Sequence, residues 1–337
     1  TKQIPGIYDK PAFLKDYHKG EDAYQEKYDK PREVIIAGPV FSQDSKAVVV
    51  VRSLDNKDRW IMQANFSDGS LELLDRQHDE AWIGGPGIGW TASAGNLGWM
   101  PDGKNIWFQS EESGYSHLYT IEVDSKSKKA LTSGPYEVLD AFLSKDKTHF
   151  YLMANAEGPH EQHFYRLPLE GGTPEKITSL PGGNQVVLSP DEQYLAVNYS
   201  YSNKPWELYV MENKPGAEMR QLTHSTTESF KNYTWRAPEI VWFEASDGVK
   251  VPARIYRPAK TRKNGPAVMF VHGAGYLQNV HQWWSSYYRE YMFLNLLADN
   301  GFTVLDIDYR ASAGYGRDWR TAIYRYMGGR DLGDYID

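Results

Sequence analysis

A chain of 337 residues, 41% hydrophobic and 24% charged, is long enough for two domains with separate cores. Its formal charge of -7 argues against nucleic acid, which rewards a basic face, and no run approaches the roughly eighteen apolar residues of a spanning helix. With no cysteine, disulfides, a catalytic thiol and thiolate metal sites are excluded.

The first 33 residues are charged, tyrosine-rich and without strand alternation. They read as a connector or covering segment, partly helical. A repeat follows. Turn-type segments recur at Ser42-Gln43-Asp44, Met100-Pro101-Asp102-Gly103, Ser144-Lys145-Asp146 and Ser189-Pro190-Asp191, and the last three Asp are 44 and 45 apart. Each precedes a β run: "AVVVV", "NIWFQS", "HFYLMA", "YLAVNYS". A second strand is centred on Tyr119, Tyr165 and Tyr209, spaced 46 and 44. A third landmark is Leu131-Thr132, Ile177-Thr178 and Leu222-Thr223, spaced 46 and 45. Three landmarks in one register, at a period near 45 with four strands per unit, signal β-propeller blades. About four blades fit over 34–235, and we expect them to be part of a larger ring.

Past Trp235 the repeat stops. "EIVWFEASDGVKVPARIYRPA" alternates around Ser246-Asp247-Gly248 as a hairpin does. After the basic linker "KTRKNGP", "AVMFVHG" is a continuous apolar run, a strand buried on both faces. Ser285 to Asn300 carries apolar residues at helical spacing (Tyr288, Met292, Asn295 and Leu296) and ends on Asn300-Gly301. "FTVLDIDYR" is another buried strand, "DWRTAIYRYMGG" a short helix, and Asp331 to Asp337 the first turns of another. The order β-β-β-α-β-α begins an α/β-hydrolase sheet, so 236–337 reads as the start of such a domain.

An apolar strand ending in His272-Gly273-Ala274-Gly275 is how many acyl-transfer hydrolases build one wall of an oxyanion hole. No Gly-x-Ser-x-Gly elbow occurs in the 337 residues. The hole comes early in this fold, and the elbow is expected a few tens of residues past Asp337. By itself such a partial sheet is expected to expose apolar surface.

A propeller leading into an α/β-hydrolase domain resembles the prolyl oligopeptidase family of serine peptidases. "SEESGYSHLYTIEV" with "LTSGPYEV" is similar to blade signatures of the dipeptidyl-peptidase-IV-like branch, and "DYRASAGYGRDWR" with "GGRDLGDYID" resembles the stretch ahead of the nucleophile. The resemblance implies a serine peptidase acting on short peptides, often after proline, from a chamber roofed by the propeller. It implies a Ser-His-Asp triad beyond Asp337, no cofactor, homo-oligomerisation as an option for the full-length enzyme, and a lean to a periplasmic or secreted location. Many members carry a Tyr in the oxyanion loop where this chain has Ala274; the nearest is Tyr276. Backbone N–H groups of Gly273 to Gly275 and the Tyr276 hydroxyl are therefore alternative donors. Other readings are a propeller that binds peptides beside a non-catalytic hydrolase remnant, and a carboxylesterase-type hydrolase.

Arg310, at a strand's C-terminal end, is a substrate-binding candidate; its plainer role is an ion pair with Asp308 or a helix. Glu111-Glu112 could clamp a substrate amino terminus, but reads better as a solvated hairpin. His160-x-x-His163 has no third ligand nearby, so no metal is expected. "GGPGIGW" precedes no helix and reads as a loop. Trp283 and Trp284 are candidates for a pocket wall or for packing.

Overall fold

The computed structural model describes residues 2–15, 30–260 and 264–337. Most of the connector and the centre of the basic linker (261–263) lie outside the described residues. The chain divides into two compact units, Thr1–Gly134 and Pro135–Asp337.

The first unit holds two four-stranded antiparallel sheets. One is β1 (Val34–Phe41), β2 (Ala47–Ser53), β3 (Asp58–Asn65) and β4 (Ser70–His78); the other is β5 (Leu97–Trp99), β6 (Asn105–Ser110), β7 (His117–Glu122) and β8 (Lys128–Ala130). In each, chain order is spatial order. The alternating apolar residues meet in one core, with Val48, Val50 and Ile61 from one sheet and Ile106, Phe108 and Tyr119 from the other. Ahead of β1, Ile4 and Ile7 are buried against Val51, Trp60 and Met62, and the Trp60 indole donates to Pro5 O at 2.9 Å. Residues 4–7 thus pack on the first sheet.

The second unit repeats the plan with β9 (Val138–Leu143), β10 (His149–Ala154), β11 (His163–Pro168) and β12 (Glu175–Lys176), then β13 (Gly183–Leu188), β14 (Tyr194–Tyr201), β15 (Lys204–Glu212) and β16 (Arg220–Gln221). The turn residues work as their chemistry dictates. Asp102 accepts from the N–H of Lys104 and Asn105 at 2.8 and 2.9 Å, and Ser189 Oγ from Tyr194 N–H at 3.0 Å.

The Leu/Ile-Thr landmark has a physical basis. Thr132 Oγ1 accepts the Leu118 N–H at 3.0 Å and donates to His117 Nδ1 at 2.9 Å, while His117 Nε2–H donates to Gly134 O at 3.0 Å. Thr178 repeats this with Phe164 N–H at 3.0 Å and His163 Nδ1 at 3.2 Å. Thr223 accepts from Leu208 N–H at 2.8 Å and donates to Glu207. In the first sheet Asp58 and His78 lie 3.1 Å apart at the corresponding strand ends. The third strand of these four sheets is therefore tied, at its first residue in β3, β7 and β11 and at its fourth in β15, to the end of the fourth strand or the residues just past it.

A short helix α1 (Glu228–Lys231) leads to the last sheet, formed by β17 (Glu239–Glu244), β18 (Lys250–Tyr256), β19 (Ala267–Phe270) and β20 (Thr303–Ile307). The order is β17-β18-β20-β19, and only the β19–β20 pair is parallel, joined through helix α2 (Tyr288–Asp299). Helices α3 (Arg317–Thr321) and α4 (Arg330–Ile336) follow. The inward face of α2 differs in part from the expected one: Asn295 is buried as expected, together with Tyr291, Leu294 and Ala298, whereas Tyr288 and Leu296 are exposed. Asn295 sets the rotation, because its Oδ1 accepts the Arg236 N–H at 3.0 Å while Tyr291 donates to Arg236 O at 2.7 Å. α3 is shorter than its sequence suggests, since Arg325 takes a left-handed φ of 58° and Gly328 one of 82°. β19 is an edge strand, and Val271 just beyond it is 63% exposed.

Candidate active site

β20 and the residue just beyond it carry acids where a buried strand should be apolar. Asp306 and Asp308 are two residues apart, so their side chains share one face, and both are fully buried. Buried carboxylates need partners. Asp306 accepts Arg254 Nη2 at 2.6 Å and Asn279 Nδ2 at 3.1 Å. Asp308 accepts the N–H groups of Asn279 (2.7 Å) and Val280 (3.0 Å) and the Tyr315 hydroxyl (2.8 Å). Its fourth contact is His272 Nε2 at 3.0 Å.

These bonds fold the segment after β19 back over β20. The His272 ring lies buried, tilted against Tyr309 at 4.9 Å between centroids, and its Nδ1 sits 2.9 Å from Gly273 O. Tyr309 donates to His272 O at 2.8 Å, Gly275 N–H to Ala311 O at 2.8 Å, and Ala313 N–H to Leu277 O at 2.9 Å. Gly275 has φ 99°, a conformation that a side chain would strain. The result is a turn, His272 to Tyr276, stitched to the loop 309–313 at the carboxyl ends of two parallel strands, where sites of α/β sheets gather. Tyr276 is 55% exposed.

Electrostatics follow from burial. Burial opposes a charge on His272, but Asp308 beside it wins and its pKa is raised. His281, stacked on Trp283 at 4.0 Å, has no such carboxylate; burial and then Arg254 hold it well below the usual range. Burial likewise lowers His160, whose Nδ1–H donates to Val280 O at 2.6 Å. That contact is one of several from the β10–β11 hairpin and its neighbour: Gln278 Nε2 donates to Pro159 O (2.7 Å), Gln282 N–H to His160 O (2.9 Å) and Trp284 N–H to Ser200 Oγ (3.0 Å).

Ser312, His272 and Asp308 have the composition of a catalytic triad but not its geometry. Ser312 Oγ (3.4 Å) and Asp308 Oδ1 both face Nε2, and the Ser312 hydroxyl donates to Tyr309 O at 2.8 Å. One ring nitrogen cannot both hold the acid and take the nucleophile's proton.

A family model described as the dipeptidyl peptidase IV N-terminal region matches residues 16–206, more than half of the chain, and one described as the prolyl oligopeptidase family matches 288–337. The chain belongs to the prolyl oligopeptidase family, in its dipeptidyl-peptidase-IV-like branch. Its four-stranded meanders are accordingly propeller blades. It is 28% identical over 195 residues to the uncharacterized peptidase YuxL of Bacillus subtilis, covering 57% of this chain and 28% of that protein. It is 28% identical over 241 residues to a probable dipeptidyl-aminopeptidase B of Emericella nidulans, covering 66% and 25%. The fold is that of the Porphyromonas gingivalis dipeptidyl peptidase 4 crystal structure, with TM-score 0.68, 19% identity, and coverage of 86% of this chain and 40% of that one. The chain thus spans about a quarter of the length of these curated relatives.

Within this family frame, the structure brings His272, Gly273, Ala274, Gly275 and Tyr276 into one turn. Arg310 lies apart from them in its bonding: its guanidinium donates to Asp334 of α4 at 2.5 and 3.0 Å and to Asp247 at 2.5 Å. Its partners are those two carboxylates, not Asp308. Glu111 is not solvated as expected; it is buried against Gly84 and Gly85, and a Cβ on Gly85 would fall 2.1 Å from its carboxylate. Those glycines serve side-chain packing in their loop. Glu112 pairs with Lys128. His160 and His163 diverge, one to Val280 and the other to Thr178 and Glu161. Trp283 stacks on His281, and Trp284 packs edge-on to Phe230 and Tyr291. Sequence reasoning missed Asp306, Arg254, Asn279 and Tyr315, and took Asp308 only as a partner for Arg310. The available signal was two acids alternating through "LDIDYR", a strand otherwise apolar.

Proposed function

We propose that this chain forms propeller blades and the oxyanion side of a serine peptidase that cleaves short peptides, by Xaa-Pro dipeptidyl or oligopeptidase action. In this reading 1–33 is a connector covering the blades, 34–235 supplies four blades, and 236–337 begins the α/β-hydrolase domain. The observation that carries it is the turn His272–Tyr276, held over the carboxyl ends of β19 and β20 by buried carboxylates. Preorganised donors aimed at a developing oxyanion are typically worth about 3 kcal/mol each in such reactions. With Gly275 N–H engaged by Ala311 O, the backbone donors of this turn in this reading are the amides of Gly273 and Ala274, and the Tyr276 hydroxyl is the side-chain alternative.

The nucleophile, its base and the orienting acid are assigned to sequence outside these 337 residues. Ser would attack the scissile carbonyl, His carry the proton, and the acyl-enzyme be released by water. The blades would admit short peptides and exclude folded chains. The test is an intact mass of the source protein with fluorophosphonate labelling and a panel of Xaa-Pro amides and simple esters. One labelled Ser on a mass well above 38.5 kDa, with amide turnover, is the expected result. An unlabelled protein, or one that turns over esters alone, would overturn it.

A further inference from the structure

The His272 ring has an unusual pair of neighbours. Its Nε2 faces the Asp308 carboxylate at 3.0 Å and its Nδ1 faces the Gly273 carbonyl at 2.9 Å. Both are acceptors. A neutral imidazole has a single N–H and would leave one of these contacts as two facing lone pairs. Only the doubly protonated ring satisfies both. The raised pKa of His272 agrees in direction with this.

The second contact reaches the proposed oxyanion site through covalent geometry. A trans peptide is planar, so its C=O and the following N–H point in opposite directions. Holding Gly273 O against the buried ring therefore turns the Ala274 N–H away from the ring. Asp308 is itself fixed by the amides of Asn279 and Val280 and by the Tyr315 hydroxyl. The chain of contacts runs from Tyr315 through Asp308 and His272 to the Gly273–Ala274 peptide.

We propose that Asp308 and His272 are positioning residues that fix the Ala274 N–H as an oxyanion donor, and that the lock holds only while the His272 ring carries both protons. The proposal rests on the serine peptidase reading. The charged and titratable groups around the ring are Asp308 and Asp306, Arg254 of β18, His281 of the same loop, and the hydroxyls of Tyr309 and Tyr315. Arg254 is paired to Asp306, and His281 is held neutral, so Asp308 is the carboxylate that answers to the ring. Because the pKa is raised, the lock is complete below the ordinary histidine value and is lost as pH rises through the raised one.

The experiment uses the full-length protein with a Xaa-Pro amide substrate across pH 5 to 10, as orders of magnitude about the ordinary histidine value near 6.5. In the unsubstituted protein kcat falls on the alkaline side while KM stays level. Asp308→Asn lowers kcat by up to about 100-fold, the lower end of the range for losing an oriented donor because the amide is displaced rather than removed, and moves the alkaline limb to lower pH with KM within about threefold. Tyr315→Phe moves the limb the other way, because removing a donor leaves Asp308 more basic toward His272. It also keeps the test open should Asp308→Asn not fold. A dipeptide boronic acid, which forms a tetrahedral adduct, loses affinity in proportion to kcat. Unmoved limbs in both variants, or a change in KM alone, would overturn the proposal. In parallel, the ring is observed by NMR in protein labelled with 15N-histidine, its signal identified by its loss in His272→Gln. Two N–H protons at neutral pH support the lock and one N–H refutes it. If the protein neither labels with fluorophosphonate nor hydrolyses amides, the peptidase reading has failed, and the ring's protonation still decides whether the lock exists.

Discussion

Replacing Asp306 by Leu should destabilise the second unit far more than its single lost ion pair suggests. Arg254 and Asp306 meet at 2.6 Å with side-chain exposures of 3% and 0%. Once Asp306 is gone, the guanidinium stays charged, since Arg does not release its proton, and it is left buried with no carboxylate in contact. Breaking one side of such a pair costs about 3–5 kcal/mol. Arg254→Leu is milder. Burial already raises the Asp306 carboxyl, so without Arg254 it can take a proton and keep its bond to Asn279. That variant then binds more protons folded than unfolded, and its stability falls as pH rises through the raised value. The double variant to Leu removes both charges and should return to within about 1 kcal/mol of the original or exceed it. Urea unfolding followed by tryptophan fluorescence at acid and at slightly alkaline pH reads all three. An Asp306→Leu cost below about 1 kcal/mol, or a double variant as unstable as the sum of the singles, would refute this account of the network.

Two more outcomes follow from buried polar groups. Thr132→Val and Thr178→Val keep shape but remove the hydroxyl bonded by a backbone N–H and a ring nitrogen, and each should lower unfolding free energy by about 1–3 kcal/mol, measured as a shift in the urea midpoint. His117, His160, His163 and His281 are all held below the usual histidine pKa, chiefly by burial. The unfolded chain therefore takes up protons first, and stability should decline as pH drops below about 6.5, seen in melting curves stepped from neutral to acid. A flat profile over that window would mean these rings are charged in the fold.

What could be read in advance differs by element. The blades were legible because a repeat writes the same demands several times: a Ser/Asp turn, an apolar run, an aromatic strand and a closing Thr. Even so, the partner of that Thr was not legible, because His117 lies 15 residues before Thr132 and only strand pairing brings them together. The glycine turn after β19 was legible from its composition and from the strand before it. The face of α2 was legible at Asn295 but not at Tyr288 and Leu296, which turn outward because the Arg236 backbone, 59 positions earlier, fixes the helix's rotation through Asn295. Glu111 failed in the same way: nothing local says that two glycines 26 and 27 positions earlier leave room for a buried carboxylate.

The sequence by itself determined the blade period, the switch to a mixed sheet and the placement of the His-Gly-Ala-Gly turn, since each depends on spacing along the chain. Tertiary structure alone decided which groups hold that turn. Arg254, Asp306, Asp308, Asn279 and Tyr315 come from β18, from β20 with the residue beyond it, and from two separate loops. Their roles arise from burial, which obliges a carboxylate to gather donors from wherever the fold has put them.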